Sequence, residues 1–352
     1  MRLFLPLIAL ALLPTSCATT PEDAMPDTEV DQLMRRYEGA VPGASLLVLR
    51  DGVALVRRGY GLSNLEEDIE AGPATNYRLA SVSKQFTAAA ILLLVEDGKL
   101  RLDDRARKWL PSLPASDDAI TLQHLLTHTS GLIDYEDVMA ADYSGQLRDA
   151  DVLRLLETQS QLYFAPGTGY RYSNSGYALL ALVVERASGR SFQAFLRERI
   201  FAPLGMHDTL AYVRGGPEVA HRAFGYSLAS GGHWKRTDQS STSAVLGDGG
   251  IYSSIDDLAR WDAALYDNRL LSAASRRLAF TPWTKTDDPA VEYGFGWRIS
   301  GETLWHSGET IGFRNVIVRY PQRKLTVILL SNRNDPEPYA TARAIARRFM
   351  QP

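Results

Sequence analysis

Ser81-Val82-Ser83-Lys84 sets a hydroxyl and an amine three positions apart where a loop runs into an apolar helix. Positions i and i+3 share a helix face, so the two groups can meet, and the helix N-terminus adds backbone N–H groups and a field that favours negative charge. A serine hydroxyl is a poor nucleophile at neutral pH. A desolvated lysine beside it can act as base, or lower the cost of forming the alkoxide. Alone the pattern is weak, because a serine N-cap followed by lysine accounts for it structurally.

Two more clusters supply what such a serine needs. Tyr172-Ser173-Asn174 lies 91 residues on. A tyrosine can shuttle a proton, and an amide side chain two positions later can hold a substrate carbonyl. Trp305-His306-Ser307-Gly308 closes a predicted strand, with His306 a further 134 residues along. The side chains of His306 and Ser307, with the close backbone approach that Gly308 permits, are expected to form one wall of a cleft.

In this order the three clusters resemble the serine β-lactamase and penicillin-binding-protein superfamily, closest to its class C β-lactamase, D,D-peptidase and related esterase branch. Thr121 to Leu132 and Asp248-Gly249-Gly250-Ile251-Tyr252-Ser253-Ser254 fit the same habit, so the resemblance covers about residues 30 to 350. It implies that Ser81 is acylated, that Lys84 and Tyr172 share the proton traffic, and that Asn174 positions the substrate. It also implies an oxyanion hole made of the backbone N–H groups of Ser81 and Glu309. The departure is His306, where many β-lactamases carry lysine. A histidine near neutral pH is largely uncharged unless a neighbour changes that, which puts obligatory carboxylate binding in doubt and looks like the esterase and D,D-peptidase members. Arg314 could restore positive charge there, although a structural ion pair is the expected role.

These residues need a scaffold. Ser45–Arg50 and Val53–Tyr60 are β-rich runs around Asp51-Gly52, a strong hairpin signal. From Ser83 to Val95 apolar residues cover the whole helical wheel, which predicts a helix buried in a large core and ended by Gly98. Residues 103 to about 245 read as mainly helical, with helices over Asp151–Thr158, Gly176–Ala187 and Phe192–Ile200. Strands return at Leu304–Ser307, Asn315–Tyr320 and Leu325–Ser331. The last helix sets Ala342, Ile345, Ala346 and Phe349 on one face, as expected for a helix lying on a sheet. The fold class is therefore α+β: an antiparallel sheet built from both ends of the chain with flanking helices, plus a mainly helical inserted lobe. The expected division is residues 28–80 and 255–352 for the α/β lobe and 81–254 for the helical lobe carrying the nucleophile.

The 352 residues are enough for two domains or one interleaved unit, and 45% hydrophobic with 22% charged residues excludes a disordered or polytopic membrane chain. The net charge of −3 leaves no polycationic surface, so nucleic acid is not an expected partner. Arg2 and the apolar run Leu3–Leu13 match the start of a secretory signal. Cys17 after that run, followed by small and polar residues, resembles a bacterial lipoprotein signal, although Pro14 departs from it. Residues 1–17 are thus expected to be a leader with Cys17 lipidated, and 18–27 a tether, placing the protein in the cell envelope. Cleavage at a small-residue site without lipidation is the alternative.

His124 and His128 are four apart, but no glutamate follows His124 and no third ligand is evident, so structural roles are expected and no metal. The absence of G-x-S-x-G removes the α/β-hydrolase elbow, and no phosphate or dinucleotide loop is present, so no cofactor is implied. The expectation is an exported serine hydrolase acting on an ester or amide, D,D-peptidase-like or carboxylesterase-like. A β-lactamase is the runner-up, and a sensor that binds cell-wall fragments without turnover is the alternative of another class.

Overall fold

The computed structural model describes residues 28–350. The leader, Cys17 and the tether expected from the sequence lie outside the described residues. Asp51 and Gly52 both take left-handed φ values, 50° and 79°, as a two-residue turn between twisted strands requires. They join β1 (Ala44–Arg50) to β2 (Val53–Tyr60). Six strands from the other end complete the sheet: β3 (Thr284–Lys285), β4 (Glu292–Tyr293), β5 (Arg298–Ser300), β6 (Thr303–Thr310), β7 (Phe313–Tyr320) and β8 (Leu325–Ser331). The spatial order is β3-β4-β5-β6-β7-β8-β1-β2, antiparallel throughout, with Ala44 opposite Ser331. The α+β class and the sheet built from both chain ends are therefore as the sequence implied.

Alternation along the strands splits the core in two. Leu47, Leu49, Ile317, Ile328 and Leu330 join the core of the helical side. Leu46, Val48, Val316, Val318, Val327 and Leu329 face the opposite way, where Ala342, Ile345 and Ala346 of the closing helix Pro338–Met350 and Val30 and Met34 of the opening helix α1 (Thr28–Met34) cover them. On the helical side, α2 (Lys84–Glu96) is buried from Lys84 to Leu94, with Phe86 against Trp261 and Phe201. Beside it runs α3 (Asn174–Ser188), started by the Ser173 side chain, which accepts from the Gly176 N–H, and ended at Gly189 in the left-handed region.

Two expectations about the elements shift. The buried helix does not begin at Ser83 as α-helix: Ala80–Ser83 form a 3-10 turn that runs into α2. In that tighter turn residues i and i+3 eclipse, which draws Ser81 and Lys84 closer than an α-helix does. The helical middle also carries strands, a hairpin of Tyr226–Leu228 with Trp234–Arg236, and a bridge of Ile251–Ser253 between Tyr77–Arg78 and Leu210–Ala211. Strands of two or three residues are too short to show alternation in a sequence.

Candidate active site

The turn that carries Ser81 is fixed by four contacts. The Leu79 N–H donates to Ile251 O at 2.8 Å and the Ile251 N–H to Ser83 Oγ at 3.3 Å. Asn315, buried on β7, donates through Nδ2 to Arg78 O at 2.8 Å. Strand β6 presses on the turn at Gly308, where a Cβ would stand 2.0 Å from Leu79 O. Glycine is required there by close backbone approach. Ala80, immediately before Ser81, is held at φ 50°. For a non-glycine residue that conformation is strained.

Lys84 is fully buried, and its Nζ is engaged on three sides. Nζ donates to Ser81 Oγ at 3.1 Å, to Asn174 Oδ1 at 2.8 Å and to the backbone oxygen of Asp248 at 2.9 Å. Three oxygen partners around one nitrogen fix the amine against the hydroxyl. Ser81 and Asn174, together with Arg78, Tyr135, Glu136, Asp248, Glu309 and Arg314, line a cleft of about 370 Å³. Tyr172 is set back from that surface. Its ring lies 4.9 Å from Lys84 Nζ and 4.3 Å from the His128 ring, and its hydroxyl is buried with no hydrogen-bond partner in the described residues. A buried hydroxyl without a partner costs about 1–3 kcal/mol, so a group that approaches it gains by supplying one.

His306 departs from its expected place in the cleft wall. It is 1% exposed; Nδ1–H donates to Ser307 O at 2.6 Å and Nε2 accepts from the Tyr293 hydroxyl at 2.9 Å. That pairing is complete for the neutral ring. Burial first, then the Arg298 cation, push the imidazole well below its ordinary range. His306, Ser307 and Gly308 do not line the cleft, and the part of this strand that does is Glu309 and Thr310. Arg314 pairs with Glu309 at 2.5 Å as expected of it, and also lines the cleft. Ser81 and Glu309 line the same hollow, so the two residues proposed to supply the oxyanion donors belong to one site.

Four residues of the site were not singled out by sequence reasoning. Tyr135 donates to Asp248 Oδ2 at 2.9 Å, and Asn174 Nδ2 donates to Glu136 Oε1 at 3.3 Å. Arg78 is 3% exposed and donates to Ser243 Oγ at 2.7 Å and Thr310 Oγ1 at 3.1 Å, with no carboxylate partner among the described residues. The only signal was position: Asp248 stands inside a stretch that carries the family resemblance, Tyr135 and Glu136 follow another, and Arg78 precedes Ser81 by three. His124 and His128 serve structure. His124 Nδ1 accepts from the Thr121 N–H at 3.2 Å and His128 Nδ1 from the Ser173 N–H at 3.1 Å.

Desolvation pushes the Asp248 carboxyl up to about 8, against the pull of Lys84. The folded protein then holds a proton that the unfolded chain releases between the ordinary carboxylate range and about pH 8. Stability attached to this group is full at acid pH and falls as pH rises through that window. Asp248→Asn, which keeps an acceptor for Tyr135, is expected to flatten that fall when Tm is followed from pH 4 to 8. Asp149, pushed up to about 7 by burial, leaves a residual slope. A variant that tracks the parent across the whole range refutes the assignment.

A family model described as Beta-lactamase matches residues 27–350. The chain belongs to the β-lactamase family. This family of serine hydrolases takes in the curated relatives. Penicillin-binding protein 4* of Bacillus subtilis (strain 168) is 34% identical over 316 residues, covering 85% of this chain and 70% of the relative. D-aminopeptidase of Gluconobacter oxydans (strain 621H) is 31% identical, covering 91% of this chain and 61% of that protein. The β-lactamase-family fold is also that of the octameric penicillin-binding protein homologue from Pyrococcus abyssi, with a TM-score of 0.82 and 27% identity over 92% of this chain and 76% of that one.

Proposed function

We propose that this member of the family is a hydrolase that opens an ester or amide through an acyl-enzyme on Ser81, in the manner of a D,D-peptidase or small-ester hydrolase. The observation that carries the reading is the 3.1 Å contact of a fully buried lysine with the Ser81 hydroxyl at the floor of an open cleft. Ser81 Oγ attacks the substrate carbonyl carbon. Its proton passes into the Lys84–Tyr172 pair: to Lys84 Nζ when the amine is neutral, or to Tyr172 when Lys84 is the ammonium that stabilises the alkoxide. Charge on the carbonyl oxygen falls to the Ser81 and Glu309 N–H groups, each worth about 3 kcal/mol in such a hole. The C–O or C–N bond then breaks, the leaving group takes a proton from Tyr172, and water later attacks the ester on Ser81 with Tyr172 as base. Asn174 uses Oδ1 on Lys84 and keeps amide hydrogen for the substrate.

Neutral, buried His306 offers no cation to a carboxylate beside the scissile bond, which supports ester substrates over β-lactams. The curated D-aminopeptidase supports the peptide arm. The test is a side-by-side turnover screen of 4-nitrophenyl esters, nitrocefin and a D-alanyl-D-alanine peptide, with intact-mass detection of a fluorophosphonate adduct. The adduct is expected on Ser81 and absent in Ser81→Ala. Failure of every acylating probe to label the unaltered protein defeats the reading. A burst without steady-state turnover points instead to a non-turnover sensor.

We also propose export to the cell envelope with a lipid on Cys17, resting on the N-terminal sequence. Cys17→Ser is expected to move the protein from the membrane to the soluble fraction, and unchanged partitioning counts against the anchor.

A further inference from the structure

Past the catalytic cleft lies a second cavity of about 460 Å³, and Ser240 lines both. The segment between them is held firmly. Gln146 Nε2 donates to Gln239 Oε1 at 3.1 Å and to Ser240 O at 3.3 Å, and the Leu147 N–H donates to Ser241 O at 2.8 Å. The Ser240 N–H donates to Ser243 Oγ at 2.8 Å, and from the catalytic side Arg78 donates to the same oxygen. The two hollows therefore share a braced wall at Ser240.

The charged residues that line the second cavity have one sign. Arg148 and Arg214 line it, and no acidic residue does. Neither guanidinium pairs with a carboxylate among the described residues, although the Arg148 backbone N–H donates to Asp151 Oδ2 at 2.8 Å. Asp238, next to the lining residue Gln239, is engaged by Arg222. Buried Arg78, also without a carboxylate, continues the series toward Ser81. The chain as a whole is net negative, so this is not average composition. A concave surface with unopposed cations focuses a positive potential, and guanidinium groups match carboxylates in two-pronged geometry.

We propose that the second cavity is a subsite for the remote part of the substrate, and that it takes an acidic oligopeptide whose carboxylates lie residues away from the bond that Ser81 opens. The proposal rests on the acyl-enzyme reading and extends it to a substrate class: small esters fill the catalytic cleft alone, whereas a carboxylate-bearing peptide reaches Arg148 and Arg214.

The test is calorimetric binding to the Ser81→Ala protein, which cannot consume its ligand. The probes are Glu-Glu-D-Ala-D-Ala-Glu-Glu and the same peptide with Gln in place of Glu. The acidic peptide is expected to bind about tenfold more tightly at low salt, and to lose that advantage as salt is added. Arg148→Gln with Arg214→Gln in the same background is expected to bring the two affinities together, with circular dichroism confirming the fold. Equal affinities at the start, no binding of either peptide, or a preference that survives the double substitution each overturn the proposal. Labelling of Ser81 by a fluorophosphonate is read separately on the unaltered protein, so loss of the acyl-enzyme reading and loss of this subsite give different results.

Discussion

Lys84→Met is expected to lower kcat/KM by a factor of about 100 or more, the usual contribution of a positioned proton-transfer group. The methionine fills the buried stem but offers nothing to Ser81 Oγ, Asn174 Oδ1 or Asp248 O, all of which Nζ now holds. Nucleophile activation and substrate positioning are lost together, because Asn174 is freed from the same atom. Stability falls too, since each orphaned buried acceptor costs about 1–3 kcal/mol. The comparison is therefore made well below the variant's own Tm, with the rate of fluorophosphonate attachment to Ser81 measured beside steady-state turnover. Both rates should drop. Near-parental acylation in a folded variant would falsify the role of Lys84.

Gly308→Ala is expected to be as damaging by a different route. The added methyl would stand 2.0 Å from Leu79 O and 3.3 Å from the Ala80 Cβ. Backbone cannot swing aside as a side chain can, so β6 must retreat from the turn that holds Ser81. The two N–H groups assigned to the developing oxyanion sit on opposite sides of that contact, one on each moving part. Loss of a single such donor lowers kcat by about 10²–10³, and displacement of the pair should cost at least as much. A drop in Tm is expected in addition, because overpacked sites cost about 1–3 kcal/mol. A variant with parental kcat and parental Tm would show that the strand does not set the distance between those donors.

The sequence made some of this plain and hid the rest for physical reasons. Asp51-Gly52 is readable because few dipeptides tolerate two left-handed residues, and β1 and β2 follow from it. The closing helix is readable because Ala342, Ile345 and Ala346 recur at helical spacing and all are buried. Ser81 and Lys84 are close in sequence, so their contact is local. The direction of His306 is another matter. Strand alternation says that His306 and Ser307 point opposite ways but not which is turned into the core, and the answer hangs on Tyr293 on a different strand. Arg78 and Asp248 were hidden likewise, since what makes them notable is burial beside a cleft, and burial of a charged residue runs against expectation from residue type.

One feature of the sheet bears on how the protein comes to exist. Strand β1 has β8 as one of its neighbours, so a central strand made early must wait for one of the last segments synthesised. Closing so long a loop costs entropy before any pairing rewards it, and contacts of this kind slow folding. Until the far end arrives, one edge of an apolar strand stays open to other chains. Nascent or truncated forms ending before Leu325 are therefore the species that should depend on chaperones and fall prey to proteases, while the finished molecule, once closed, resists both.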